Sequence, residues 1–290
     1  MTNYLISTST TCDLKPEIVA KNDIRLINFC FYIGDKEYED DLGVSYPYSK
    51  FYEDINNGIL PTTSLVNLER YKEYFRSLLK EGKDVLHIAF SSKLSGSFNN
   101  AYLAALEVNE EFTNNIVLID SKLASGAQGM LVELAVRNRE KGLDINQNAA
   151  NLEKIRDNIY VALCTSDIKH LLRGGRISKA NAIIAGTLNI VPMIGINLEG
   201  ALEPFKKCLG KKKAMLELVR DIDLRIDDDY KECYVLHTEA YDEALKLKEM
   251  ILKKDPNINV KIGYIGNVIG SHLGCEALAI VYLAKEKRKF

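Results

Sequence analysis

The sequence has no tryptophan, only 6 prolines and 4 histidines, and no excess of either charge. Its 290 residues carry 38 Lys and Arg against 40 Asp and Glu, so the formal net charge is -2 at pH 7. Such a nearly neutral chain has no basic field to attract the phosphates of a nucleic acid. Hydrophobic residues make up 47% and charged residues 27%, which excludes a disordered, collagen-like or coiled-coil protein.

The cysteines form no Cys-x-x-Cys pair and no tight cluster with histidine. They stand apart along the chain, at Cys12, Cys30, Cys164, Cys208, Cys233 and Cys275. This spacing supports neither a zinc site nor a disulfide framework. The sequence therefore predicts no metal, and six reduced thiols as in a cytoplasmic protein.

Long apolar runs are missing as well. Residues 1–13 hold no basic segment followed by an apolar run, so no secretory signal is visible. The stretch nearest to a membrane span is Ala180 to Ile196. Asn181, Asn189 and Pro192 interrupt it, and it is too short to cross a bilayer. It indicates buried core, and we expect a soluble protein without stable membrane insertion.

Strand, polar loop and helix follow one another twice in the first half. The predicted strands are Val85 to Phe90 and Ile116 to Ile119, and loops 91–97 and 120–126 lead into helices. This order is typical of a parallel α/β sheet, which binds ligands beyond the carboxyl ends of its strands. The two loops should therefore lie at one edge of the sheet.

The pattern changes near the polar stretch 146–158 and predicts two domains, an N-terminal α/β domain at 1–155 and a C-terminal mixed α+β domain at 156–290. Other strands predicted in the first half are 4–6 and 24–33, and the helices are 45–57, with Ser45 as N-cap, and one around 68–78. In the second half the predicted strands are 159–165, 188–196, 202–208, 232–238, 260–265 and 278–283, and the helices are 211–222 and 241–254.

Common catalytic and cofactor motifs do not occur. The sequence lacks the GxxxxGK[ST] loop, a GxGxxG after a strand and a GxSxG elbow, so it predicts no cofactor. Loop Ser91 to Ser97 combines four serines with a helix start, and Pro61 to Ser64 is a second hydroxyl cluster. Such donors bind an anionic head group, although a capped turn or a polar connector explains them equally.

Two further strings contain residues that bind anions. Arg173 and Arg176 flank a Gly-Gly pair and could clamp an oxyanion or phosphate, or belong to a solvated loop. His272 lies in a glycine-rich loop, where it could approach a ligand closely or serve only the fold. The basic cluster 206–213 lacks interleaved aromatic residues, so it indicates a solvated helix entry rather than a nucleic-acid site.

Taken in order, these strings resemble the DegV family of bacterial fatty-acid-binding proteins over essentially the whole chain. The opening Thr8 to Leu14 is similar to TDSTxDL, Thr62-Thr63-Ser64 to TSQP, Ser92 to Ser97 to SxLSGT, Asp120 to Gly129 to DSKxxSxGQG, Arg173 to Ser178 to RGGRIS, and Ile269 to Gly274 to IGxHxGPG. Each string is modest alone, whereas six in register are highly specific. The departures from the family pattern are Ser9, Leu65-Val66, Val191 and Cys275-Glu276.

The resemblance implies two α/β domains with a long-chain fatty acid buried between them. It implies a non-catalytic carrier whose partner, an ATP-dependent fatty acid kinase, phosphorylates the carboxylate of the bound acid. By resemblance, Thr63 and Ser95 bond the carboxylate with Thr62 and Gly96 adjoining and His272 beside it, while Arg173 and Arg176 serve the phosphate or the kinase. A tunnel wall, or plain core, is expected from Ile183, Ile184, Leu188, Ile190, Met193 and Ile194.

Two other functions remain open at this point. One is an enzyme acting on a small phosphorylated or hydroxylated substrate, related to dihydroxyacetone kinases, for which a covalent adduct on His272 would be evidence. The other is a nucleic-acid-binding regulator, which the net charge of -2 disfavours.

Overall fold

The computed structural model describes residues 4–166, 168–177 and 189–289. Its first sheet has four parallel strands, in the spatial order β2 (Ile24–Ile27), β1 (Tyr4–Ser9), β6 (Asp84–Ala89) and β7 (Ile116–Asp120). Its helices are α1 (Pro16–Lys21), α3 (Leu68–Leu79), α4 (Ser97–Asn109), α5 (Ser125–Glu140) and α6 (Ile145–Ile155). On β1, Leu5 packs with α3 and α4, whereas Ile6 packs with α5, so helices cover both faces. The predicted parallel sheet is confirmed.

A small antiparallel sheet accompanies it, and here two predictions were wrong. The strands are β4 (Lys36–Glu39), β3 (Cys30–Ile33) and β5 (Thr62–Ser64), with helix α2 (Tyr48–Asn56) packed nearby. The apolar run 24–33 is therefore two strands in two sheets. The chain changes sheet at Phe29, whose backbone N–H donates to Thr10 Oγ1 at 3.1 Å. Thr62 to Ser64, expected to be a loop, is strand β5.

Helix α2 also begins later than the sequence predicts. Ser45 is not its N-cap, because the backbone N–H of Ser45 donates to the Asp41 carboxylate at 3.0 Å in a preceding turn. Pro47 takes the cap position instead. Proline suits a helix start because it has no N–H to satisfy there.

The second half forms a six-stranded mixed sheet. Its order is β10 (Leu202–Leu209), β9 (Ile190–Ile196), β8 (Ile159–Cys164), β13 (Leu278–Leu283), β11 (Glu232–His237) and β12 (Asn259–Tyr264). Only the β11–β12 pair is parallel among these described strands. The helices are α7 (Lys169–Arg173), α8 (Lys211–Arg225), α9 (Tyr241–Lys254) and α10 (Asn267–Leu273). The predicted mixed α+β character is confirmed.

Alternation along the central strand β13 divides the core of this half. Ile280 and Tyr282 pack against α8 and α9, whereas Ala279 and Val281 face the first half. Helix α5 packs on this second face and also on β1 and β6 of the first sheet. The two sheets thus share one continuous apolar core that passes through α5.

Three further observations concern membrane-spanning helices, metal ligands and cysteines. Among the helices in the described ranges, none combines the length and the apolarity needed to cross a bilayer. Over the same residues, no three His, Cys, Asp or Glu side chains are grouped so as to hold a metal ion. All six cysteines lie in the described ranges and are free thiols.

A candidate ligand-binding cavity between the sheets

A cavity of about 830 Å³, its opening to solvent included, lies between the two halves. The second sheet supplies its floor from β8, β9, β10, β11 and β13. The opposite wall comes from β5, from the loops after β6 and β7, and from Phe29. Small-molecule sites are typically mostly apolar, with a few placed polar groups.

Apolar side chains make up most of the lining. They are Phe29, Leu65, Phe90, Leu94, Ala124, Val161, Leu163, Leu171, Ile196, Leu202, Leu236, Ile265, Val268, Ile269, Leu273, Ala279 and Val281. The polar members are Thr63, Ser64, Ser95, Ser125, Arg176 and His272. A ligand filling this cavity would present a long apolar surface and a small polar group.

Two of the polar side chains are bonded to each other. Thr63 Oγ1 lies 2.9 Å from His272 Nε2, which joins β5 to α10 across the two halves. The other ring nitrogen, Nδ1, is buried and has no hydrogen-bond partner within the described ranges. A methyl group at Gly174 would collide with it, so glycine is required for this close approach.

Burial lowers the pKa of His272 to about 4, and the positive charges of Arg176 and Arg173 act in the same direction. The imidazole is therefore neutral at pH 7. When its one proton is on Nε2, the Thr63 hydroxyl accepts from the ring, and its own O–H can be donated to a ligand.

Ser95 reaches the same region from the loop before α4. Its hydroxyl donates to Ser97 Oγ at 3.0 Å, and its Oγ accepts the Ser97 backbone N–H at 3.2 Å. This loop meets the Thr63 strand where Leu65 packs on Gly96, since a methyl group at Gly96 would lie 3.5 Å from Leu65 Cδ2. The two hydroxyl clusters singled out in the sequence are thus brought together.

The two arginines of the RGGR string occupy different environments. Arg176 lines the cavity, where Nε donates to the Leu94 carbonyl at 3.1 Å and Nη1 donates to the Gly174 carbonyl at 2.5 Å. Burial lowers the pKa of Arg176. Arg173 is exposed, with Nη2 3.1 Å from His170 Nδ1. Of the two interpretations from the sequence, the solvated loop fits Arg173, whereas Arg176 is half-buried in the cavity lining. The turn at Gly175, with φ +69°, separates the two side chains.

Two expected ligand contacts do not line the cavity. Thr62 precedes Thr63 at the start of β5, and its side chain is exposed. Gly96 is the residue before α4 and is not part of the lining either. The resemblance named both from their place in a string, which does not say which residues of the string face the cavity.

The expected tunnel wall also needs correction. Ile183, Ile184 and Leu188 lie outside the described residues. Ile190, Met193 and Ile194 are described but do not line the cavity, and Met193 packs on the opposite face of the sheet. Ile196 is the lining residue of β9. The period of two accounts for Met193 alone, since Ile194 packs in the same core as Ile196 but lies outside the cavity.

Ser125 lines the cavity but was not predicted as a site residue. The one indication of it in the sequence was its place in the DSKxxSxGQG-like motif. Its hydroxyl donates to the carboxylate of Asp13, and the other oxygen of Asp13 faces the backbone of Gly266. Burial raises the pKa of Asp13 from 3.8 to about 7. Asp13 therefore links both halves beside the cavity.

The raised pKa of Asp13 predicts that the free energy of unfolding differs between the protein and an Asp13→Asn variant by an amount that depends on pH. Between pH 3.8 and about 7 the folded protein holds a proton that the unfolded chain has released. Asp13 thus contributes most stability below pH 3.8, and this contribution is lost as the pH rises through 7. The stability advantage over the variant should fall by about 1 kcal/mol per pH unit between pH 5 and 7. Urea unfolding at each pH measures it, and an advantage that grows with pH would contradict the assignment.

The sequence model described as "Uncharacterised protein, DegV family" matches residues 4–285. The chain belongs to the DegV family. A DegV domain-containing protein of Clostridium perfringens is 33% identical over 289 residues, which is 99% of each chain. The membership expected from the six strings is confirmed.

Two solved DegV structures share the fold over almost their full length. A fatty-acid-binding DegV family protein from Streptococcus agalactiae superposes with a TM-score of 0.87, at 26% identity, covering 99% of this chain and 100% of that one. DegV from Bacillus subtilis, described as a fatty acid binding protein, gives 0.84 at 26% identity and covers 98% and 100%. The predicted two-domain α/β architecture is confirmed. Both of these relatives are described as fatty-acid-binding proteins.

Proposed function

We propose that this DegV chain binds one long-chain fatty acid in the cavity between its two domains. The observation that carries the proposal is the distribution of polarity in the lining. Thr63, Ser95, Arg176 and His272 come together, and the remaining wall is almost entirely apolar. Two solved relatives at 26% identity are described as fatty-acid-binding proteins, which supports the same ligand.

The carboxylate would lie among the polar groups. Thr63 donates its hydroxyl proton to one oxygen, and Ser95 turns its hydroxyl proton from Ser97 Oγ to the carboxylate. The Arg176 guanidinium balances part of the charge. Because the pKa of His272 is low, its ring is neutral near pH 7 and forms no ion pair with the carboxylate. Its role is to orient the Thr63 hydroxyl by a hydrogen bond. Thr62 and Gly96 take no direct part in this arrangement.

We further propose that the chain is a carrier whose cargo is activated by a partner, an ATP-dependent fatty acid kinase. In that reaction a carboxylate oxygen of the bound acid attacks the γ-phosphorus of ATP, and ADP leaves. Arg173 is exposed on α7, which packs against the helix that carries His272, so it can meet the kinase or the transferred phosphate. The reaction belongs in the cytoplasm, which supplies ATP and suits six unpaired thiols.

The domain boundary in this proposal stays at 155/156, between α6 and β8. It separates the strands of the parallel sheet from those of the mixed sheet. The ligand would then contact both domains, since β5 and the loop before α4 belong to the first and α10 belongs to the second.

The direct test is mass spectrometry of an organic extract of the purified protein. We expect close to one fatty acid per chain, and a rise in melting temperature when fatty acid is added to delipidated protein. An extract without acyl chains, together with an unchanged melting temperature, would refute the proposal. A covalent adduct on His272 with a short carbonyl compound would instead favour an enzyme of small hydroxylated substrates.

A further inference from the structure

A second cavity lies between the two halves of the chain, beside Asp13. It encloses about 710 Å³, its opening included. Residues 13–16 line it from the first half, and residues 262–264 of β12 line it from the second. Asp13 is bonded to Ser125, which lines the first cavity, so this pair lies between the two cavities.

Part of the wall of the second cavity is aromatic. Four rings line it and contact one another in the order Tyr48, Tyr264, His237 and Tyr241. Their centroids are 5.3, 4.4 and 5.7 Å apart along this order. We name these four side chains the aromatic row. Such rings offer an apolar surface on which a flat ligand ring can stack.

The second cavity also reaches the open edge of the second sheet. Strand β12 is the last strand of that sheet, and the backbone N–H groups of Asn259 and Ile265 donate toward β11 at 2.8 and 2.9 Å. The alternate residues Val260, Ile262 and Tyr264 therefore turn their N–H and C=O groups away from β11, to the free edge. Of these three, Ile262 and Tyr264 line the cavity.

The backbone of Ile262 is the part of this residue that lies at the cavity. Its side chain packs into the core with α8 and α9. Its neighbour Gly263 pairs with Leu236, whose side chain faces the first half. A cavity that contacts both Ile262 and Gly263 therefore runs along the strand edge. An N–H and a C=O side by side there can bind a ligand that carries an acceptor and a donor on one edge.

Two side-chain groups in the cavity lining lack a hydrogen-bond partner within the described ranges. Burial lowers the pKa of His237 to about 4, so its ring is neutral at pH 7. Its Nδ1 accepts the Ala240 backbone N–H at 3.4 Å, which puts the ring proton on the unpartnered Nε2. The second group is the Tyr48 hydroxyl. Because His237 is only 1% exposed, its N–H needs an acceptor that a ligand would supply.

The charges near the cavity narrow the class of ligand. Burial raises the pKa of Tyr48 and of Tyr264, and the carboxylates of Asp13 and Glu239, respectively, raise it further. These acidic groups disfavour a phosphate or a carboxylate ligand. An alkylammonium ion has no acceptor for the His237 N–H, and Lys15 in the lining would repel it. A neutral ring that carries both acceptors and donors meets all of these conditions.

We propose that the second cavity binds a neutral planar nitrogen heterocycle of the nucleobase class. The ring stacks on the aromatic row, and its edge bonds to the backbone N–H and C=O of Ile262. A ring nitrogen accepts the Nε2 proton of His237. This site does not depend on what the first cavity binds.

Ligand-observed NMR with adenosine, guanosine, cytidine and uridine tests the proposal on the full-length protein. At least one nucleoside should bind, ribose alone should not, and calorimetry then gives the Kd. Ile262→Pro removes the N–H at the cavity and should weaken binding at least tenfold. A proline is tolerated there because the ladder of an edge strand does not use that N–H. Val260→Pro is the matched control, since it removes an N–H of the same edge outside the cavity lining, and it should keep the affinity.

The proposal is wrong if none of the four nucleosides binds, or if ribose binds as well as they do. An unchanged affinity in Ile262→Pro, or an equal loss in Val260→Pro, would place the ligand elsewhere. If Ile262→Pro does not fold, Tyr264→Leu decides, because it removes one ring of the aromatic row and should weaken binding at least tenfold. Its control is Tyr102→Leu on α4, where the ring is 48% exposed and far from the lining in the chain. Equal affinities in these two variants would contradict the stacking.

Discussion

Thr63→Val and Ser95→Ala should each weaken fatty-acid binding at least tenfold. Each variant removes one hydroxyl donor to the proposed carboxylate and keeps nearly the same volume, so the fold should survive. A hydrogen bond to a charged group contributes about 1.5–3 kcal/mol, and 1.4 kcal/mol is a factor of ten. Thr63→Val also removes the partner that lies 2.9 Å from His272 Nε2. Titration calorimetry with delipidated protein measures both losses.

Thr62→Val is the matched control for this experiment, since Thr62 neighbours Thr63 on β5 but points to solvent. Ser121→Ala is a second control, because the Ser121 hydroxyl stays within its own turn, next to Leu123. The losses at Thr63 and Ser95 should be non-additive, because both hydroxyls serve one ligand group. A fatty acid methyl ester should bind weakly and respond little to either change. Equal losses in the controls would refute the head-group assignment.

Arg176→Ala should abolish most fatty-acid binding, whereas Arg173→Ala should leave binding intact and slow acyl-phosphate formation. The Arg176 guanidinium lies in the cavity and is held by the Leu94 and Gly174 carbonyls, so its loss removes both the charge beside the carboxylate and a link between two loops. Arg173 is exposed. At about 1.5–3 kcal/mol for one charge-assisted bond, the expected loss of affinity for Arg176→Ala is at least tenfold.

The measurement pairs fatty-acid binding with a transfer assay that uses the cognate kinase and ATP. Arg176→Lys keeps the charge but not the two fixed hydrogen bonds, and it should recover only part of the affinity. If Arg173→Ala lost binding as severely as Arg176→Ala, the division of roles between the two arginines would be wrong.

Much of the fold can be predicted from the sequence, because the periodicity of apolar residues and the turn residues between elements indicate the strands and helices. Strand β13 and helix α9 have the predicted bounds, and loops 91–97 and 120–126 lie beyond two parallel strands. The break at Asn28–Phe29 was not readable, since an apolar run looks the same whether its two parts share a sheet or not. At the break the backbone N–H of Phe29 bonds to Thr10, 19 residues away in the chain, which no local pattern shows.

The sequence motifs predicted which residues belong to the site, but not which of those residues face the cavity. Thr63, Ser95 and His272 do line the cavity, as does Arg176. Met193 does not, because an alternating strand turns every second side chain away and Met193 packs on the opposite face of its sheet. Thr62 does not, because its side chain is exposed at the start of β5. Local pattern fixes the alternation, whereas the partner of each face is a property of the whole fold.

The position of α5 also bears on how a ligand can leave. Met130, Leu131 and Leu134 of this helix are buried in the core that both sheets share, and Arg137 on the same helix pairs with Glu232 of β11 at 2.7 Å. Swinging the domains apart as rigid bodies would expose this apolar surface to water, at about 25 cal/mol for each Å². A hinge opening is therefore the expensive route. For the proposed fatty acid, local fluctuations of the loops around the cavity are therefore the cheaper route of entry and exit.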